Sequence, residues 1–154
     1  MENMTPISLI RDVYDKTQLN IEKFQEYDSK PLTLTEKIFL GHLSEPKFDS
    51  LHPGHDYIFL KPDRVALQDA SGQMVILQFM QSALSNVSIP TTLHCDHLIQ
   101  ANTSANSDIK RALFENNEVY KFLESSSKKF GIGFWKPGAG IIHQVLLENY
   151  AFPG

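Results

Sequence analysis

An α/β fold, with a small parallel-type sheet flanked by helices, is what this sequence predicts, and three observations carry that prediction. From residue 57 onward, strand-like and amphipathic stretches alternate in the order strand, helix, strand, helix, strand, helix. That order fits parallel strands joined by right-handed crossovers. The helix across residues 74–83 is too apolar for a surface helix and suits a crossover buried on a sheet. The stretch PTTLHCDHLI, residues 90–99, opens as a strand after a proline and ends in a dense polar cluster.

Ile7, Ile10 and Tyr14, then Ile21, Phe24 and Tyr27, recur at helical spacing and predict one or two surface helices before Pro31. Thr33 and Glu36 have the spacing of a capping box, and Ile38, Phe39 and Leu43 supply a short apolar stripe. Pro46, Pro53 and Gly54 make residues 44–56 a loop. His52 and His55 stand three apart there, but no third ligand accompanies them, so they read as solvated histidines. YIFL, residues 57–60, is strand-like, and Val65, Ala66 and Leu67 form a second extended piece. Asp69 or Ser71 can cap the apolar helix that follows. Its stripe holds Ile76, Phe79, Met80 and Ala83, widened by Met74, Val75 and Leu77, with Met74 and Met80 as core filler.

Residues 101–107 are a polar loop with Ser107 as cap. Ile109, Ala112, Leu113, Tyr120 and Leu123 make the next stripe, and Asp108, Glu115, Glu118 and Lys121 a solvated face, with the helix fading over residues 125–129. GIGFW, residues 131–135, is extended. A glycine-containing turn over residues 136–140 leads to a last helix carrying Ile141, Ile142, Val145, Leu146 and Tyr150, stopped by Pro153.

The charge and composition exclude several classes. A net charge of −4 gives no nucleic-acid footprint. No apolar run approaches the ~20 residues of a membrane span. The start, MENMTPISLI, has neither a secretory signal nor an arginine-rich transit pattern. The 154 residues can bury ~70% of their unfolded surface. A single cysteine, Cys95, forms no internal disulfide and fits a reducing compartment.

The chemistry concentrates at residues 94–97. Alternation along a strand sends His94 and Asp96 one way and Cys95 and His97 the other. Where the strand gives out, Asp96 and His97 can share the crevice at its carboxyl end, where open α/β sheets bind ligands. A carboxylate beside an imidazole is an acid–base unit; solvated polar residues at a strand end would leave the same pattern. Gln68 precedes a helix N-terminus, where amides favour anions, or is a plain turn residue. His143 falls in the first turn of the last helix and is either packed or functional. The glycine turn before it matches neither GxGxxG nor a P-loop.

Four segments together resemble the amino-terminal part of the aconitase family, nearest its mitochondrial-type branch. They are PLTLTEKIFLGHL (31–43), DRVALQDASGQM (63–74), PTTLHCDHLI (90–99) and GFWKPGAGIIHQVLLENYAFPG (133–154). The resemblance implies an aconitase-like α/β domain over residues 31–154, incomplete relative to the family, behind a helical extension over residues 1–30. It implies a hydro-lyase that interconverts citrate and isocitrate through cis-aconitate at a 4Fe-4S cluster. Carried over by residue, Gln68 matches a substrate-contacting glutamine. Asp96 and His97 match a pair in which the histidine protonates the leaving hydroxyl and the aspartate supports it, and His143 matches a further active-site histidine.

The departures are equally specific. The family's cluster cysteines, serine base and carboxylate-gripping arginines all lie beyond this stretch, and Cys95 does not match a cluster ligand. The expectation is therefore a segment forming one wall of the site, with the rest of an aconitase chain as its partner. Taken alone, it should carry no cluster and no activity. The alternatives are a truncated, non-catalytic domain or a sibling hydro-lyase acting on isopropylmalate or homocitrate. The resemblance implies a cytoplasmic location if the source is bacterial and the mitochondrial matrix if it is eukaryotic.

Overall fold

The structure, a computed structural model, describes residues 4–49 and 51–152; Pro153, the expected helix stop, lies outside the described residues. The chain divides into two compact units, Met1–Asp63 with Asn149–Gly154, and Arg64–Glu148.

In the unit Arg64–Glu148, three short strands form a parallel sheet: β1 (Val65–Gln68), β2 (Thr91–His94) and β3 (Gly133–Trp135), in that order with β2 central. Each connection carries helix, as parallel strands require. Helix α3 (Asp69–Gln81) links β1 to β2, and α4 (Ala105–Glu115) with α5 (Asn117–Phe130) links β2 to β3. The register aligns Leu67 with Leu93 and Leu93 with Phe134. These three side chains belong to one core with Ile76, Cys95, Tyr120, Leu123, Phe130 and Ile132, which fixes α3 and α5 on that face. The next register row, Gln68, His94 and Trp135, points to the other face by the strand period of two.

Several local expectations are corrected. Helix α3 is not buried all round: only Asp69, Gly72 and Ile76 are buried, while Met74, Val75, Leu77 and Met80 are exposed, so the two methionines are not core. One face of a three-strand sheet covers only a single stripe of a helix. The predicted helix over residues 109–123 is two helices broken at Asn116. Ser104, not Ser107, caps α4, accepting from the Ser107 amide. Asp108 is buried rather than solvated, and one of its oxygens accepts the amides of Asn102 and Thr103, both at 2.9 Å. Helix α5 does not fade at residue 125. Ser126, Ser127 and Phe130 are buried, and it ends at Gly131 in the left-handed conformation (φ 74°), where glycine carries no Cβ penalty.

In the other unit, α1 (Ile7–Tyr27) is one continuous helix and packs on α2 (Leu34–His42) around Phe24, Leu40 and Leu43. The contact is close because a Cβ at Gly41 would overlap the Thr17 side chain. The capping box forms as its spacing predicts, with Thr33 accepting from the Glu36 amide and Glu36 accepting from the Thr33 amide. YIFL does not become a sheet strand. Leu60 makes an isolated bridge to Leu43, the Phe59 carbonyl accepts from the Ser44 amide, and Tyr57 is 96% exposed.

Candidate functional site

The carboxyl edge of the parallel sheet carries the site. Past the end of β2 the chain turns, and Asp96 and His97 meet there: Asp96 Oδ1 lies 2.7 Å from His97 Nδ1. The second Asp96 oxygen accepts the backbone amide of Ile142 at 2.9 Å. That bond ties the start of α6 (Ile142–Asn149) to the end of β2. An ionised carboxylate only accepts, so Asp96 assigns the proton on the ring to Nδ1 and leaves Nε2 as the exchangeable position. The His97 side chain is 40% exposed and that of Asp96 13%, so the imidazole can reach a ligand while its carboxylate stays shielded.

Asp69 completes the arrangement, a residue whose position in the sequence marks it only as a helix cap. It is fully buried at the β1–α3 junction. Oδ1 accepts the amides of Ala70 (2.9 Å) and His97 (3.2 Å), and Oδ2 accepts that of Leu98 (3.2 Å). Burial raises its pKa above the ordinary carboxylate value and outweighs the amides, which lower it. The available signal was an acidic residue directly after a strand in a βαβ unit, the place where such sheets build sites. Asp69, Asp96 and His97 bring potential ligand atoms within 4.8 Å of one another. Every carboxylate oxygen in the group already faces a hydrogen-bond donor. The cluster is thus a hydrogen-bonded hub and carries no metal assignment.

The other predicted residues stand nearby but apart. Gln68 ends β1, in register with His94 and one residue before Asp69. His143 is exposed in the first turn of α6, next to the Ile142 amide that Asp96 holds. Among the described residues, neither side chain hydrogen-bonds to the Asp96–His97 pair. His94, the last residue of β2, takes no part in the pair's hydrogen bonds. It is wholly buried, stacked on Trp135 with ring centroids 6.0 Å apart, and bonded through Nε2 to Thr92 Oγ1 at 2.9 Å. Burial pushes the His94 imidazole below its ordinary pKa. In the loop, His52 pairs with Asp56 at 2.7 Å, an exposed contact rather than half a metal site.

Cys95 tests the fit of an iron–sulfur cluster. It is the one cysteine in the sequence and lies in the core beside Ile76 and Leu123. Burial pushes its thiol up to about 12, so it is held protonated. Cluster ligands are thiolates, and several are needed. The residues of this chain therefore do not form such a ligand set.

Fold and site together define a parallel α/β unit with an aspartate–histidine pair at the sheet's carboxyl edge. Comparison with known proteins makes this specific. A family model described as "Aconitase family (aconitate hydratase)" matches residues 36–154. The chain is 52% identical over 141 residues to a probable mitochondrial aconitate hydratase of Dictyostelium discoideum, covering 92% of this chain and 18% of that protein. It is 50% identical over 141 residues to the corresponding Caenorhabditis elegans protein, with the same coverage of each chain. It is 56% identical over 126 residues to the mitochondrial aconitate hydratase of Saccharomyces cerevisiae, covering 82% of this chain and 16% of that one. The chain belongs to the aconitase family. It spans less than a fifth of the length of the relatives it matches. No described helix is long and apolar enough to cross a membrane.

Proposed function

We propose that this chain supplies one wall of an aconitate hydratase site, in which citrate and isocitrate are interconverted through cis-aconitate. The observation that carries this reading is the 2.7 Å contact between Asp96 and His97 at the carboxyl edge of the sheet, in a chain of the aconitase family. Dehydration of citrate breaks a C–O bond and removes a proton from the neighbouring carbon, a proton that a base outside this segment accepts. Hydroxide is a poor leaving group, so a proton delivered to it lowers the barrier. The protonated imidazole of His97, with Nδ1–H held by Asp96, donates from Nε2, and the hydroxyl leaves as water. The reverse transfer serves hydration. Gln68 and His143 flank the pair and contact substrate as binding and catalytic groups respectively.

The family's iron–sulfur cluster supplies Lewis acidity to this chemistry, and its thiolate ligands are not among these residues. The remainder of an aconitase-length chain is the natural partner of this segment. The names of the relatives support a mitochondrial setting.

The test is to assay the complete product of the reading frame that carries this sequence, with its cluster reconstituted. Citrate should be converted to isocitrate, whereas isopropylmalate and homocitrate should not turn over. The 154-residue chain alone, given iron and sulfide under anaerobic conditions, should take up no stoichiometric cluster and form no isocitrate. Turnover of a sibling substrate in place of citrate, or activity from the isolated chain, contradicts the reading.

A further inference from the structure

We infer that Asp69 is the positioning residue for the Asp96–His97 pair, holding the turn after β2 in the one backbone arrangement that lets the two side chains meet. The inference rests on the proposed role of His97 as a proton donor, and it extends that role to a residue two elements away in sequence.

The geometry is specific. Asp69 is 28 residues from His97 in sequence, yet its two oxygens take the amides of His97 and Leu98, both at 3.2 Å. Asp69 Oδ1 also lies 3.8 Å from His97 Nδ1. Asp96, immediately before those amides, spends both its own oxygens on His97 Nδ1 and the Ile142 amide. The turn that carries Asp96 and His97 is thus gripped through its backbone by one buried carboxylate, while its side chain grips α6. A carboxylate this deeply buried is costly unless its acceptor positions are used. Here three backbone amides use them. A mere helix cap would be satisfied by the first turn of α3, yet two of the three donors come from the β2 turn. The N-cap position of α3 is Gln68, with no side-chain cap bond.

Asp69→Asn keeps the side-chain volume but replaces one acceptor oxygen with an NH2 donor that opposes an amide. NMR on the 154-residue chain reads two quantities. The amides of His97 and Leu98 should exchange roughly tenfold faster or more, as loss of a charge-assisted bond predicts, while the Leu93 and Leu123 amides keep their protection. The His97 ring nitrogens should move from the Nδ1-protonated pattern toward a mixture of tautomers, a change that general loss of stability does not produce in molecules that remain folded. Unchanged exchange at His97 and Leu98, with an unchanged ring pattern in a folded Asp69→Asn protein, overturns the inference.

If the variant does not fold, the unmodified chain decides the matter. The amide shifts of His97 and Leu98 should follow the titration of the Asp69 carboxyl carbon rather than that of the groups around it, which are the His97 ring, with Nδ1 3.8 Å away, and Asp96, Cys95 and Tyr120. Amide shifts indifferent to that titration overturn it equally. Neither readout depends on turnover, so failure of the hydro-lyase reading would be seen separately, in the citrate assay.

Discussion

At the scale of single residues, two buried aspartates respond to pH with opposite signs. Asp108 accepts the amides of Thr103 and Asn102 in its charged form, and the Thr103 bond leads the causes that hold its pKa below the usual carboxylate value. Its contribution to stability is present above the unfolded-state pKa and is lost as pH falls through the lower folded value. Asp69 runs the other way. Burial raises its folded pKa, so its contribution is full below the unfolded value and declines as pH rises through the folded one. A global acid titration therefore mixes the two. Residue-resolved exchange separates them, and the amides of Asn102 and Thr103 should lose protection on acidification below the ordinary aspartate pKa, before β2 does. Retained protection of those amides down to global unfolding would contradict the bonds assigned to Asp108.

Both aspartates also show what sequence could not disclose. Asp96 and His97 are adjacent, so their pairing was legible from alternation and the expected strand end. Asp69 and Asp108 bond to amides that no periodicity places near them, and each was read as a cap or a solvated charge.

At the scale of elements, the reading of β2 carried furthest. Thr91–His94 is a buried central strand, and Leu93, at 0% exposure, lies in the core shared with α3 and α5. Leu93→Ala should destabilise the unit by about 2–5 kcal/mol, in the upper part of that range because the cavity lies between three packed elements. A denaturant titration of the isolated chain measures it, and a loss under about 1 kcal/mol would mean the site collapses more freely than this packing allows. Helix α3 was read less well, because its apolar residues spread around the helix and hydropathy does not say which of them a sheet will cover. The observed sheet is three strands wide and takes the stripe through Gly72 and Ile76, where a Cβ at Gly72 would stand 3.2 Å from Leu93 Cδ1. YIFL has strand propensity but lies outside the sheet, and propensity alone does not provide a partner edge.

At the scale of the molecule, the order of elements was enough to give the parallel sheet, since alternating strands and helices leave few topologies. The site gathers the ends of β1 and β2 and the start of α6, all within Arg64–Glu148. That gathering is a product of topology: Asp69 accepts the His97 amide, His97 meets Asp96, and Asp96 accepts the Ile142 amide, so one hydrogen-bonded chain spans 73 residues of sequence.

The central claim is that His97, held by Asp96, is the proton donor of a hydro-lyase. Its most direct test is His97→Asn in the complete, cluster-loaded protein, with kcat and KM for citrate measured separately. Loss of a positioned general acid should lower kcat by roughly 10²–10⁴-fold and leave KM within a few-fold, because the imidazole acts on the leaving hydroxyl in the transition state. A His97→Asn enzyme that keeps its kcat, or loses only affinity for citrate, would contradict the assignment of His97 as the acid.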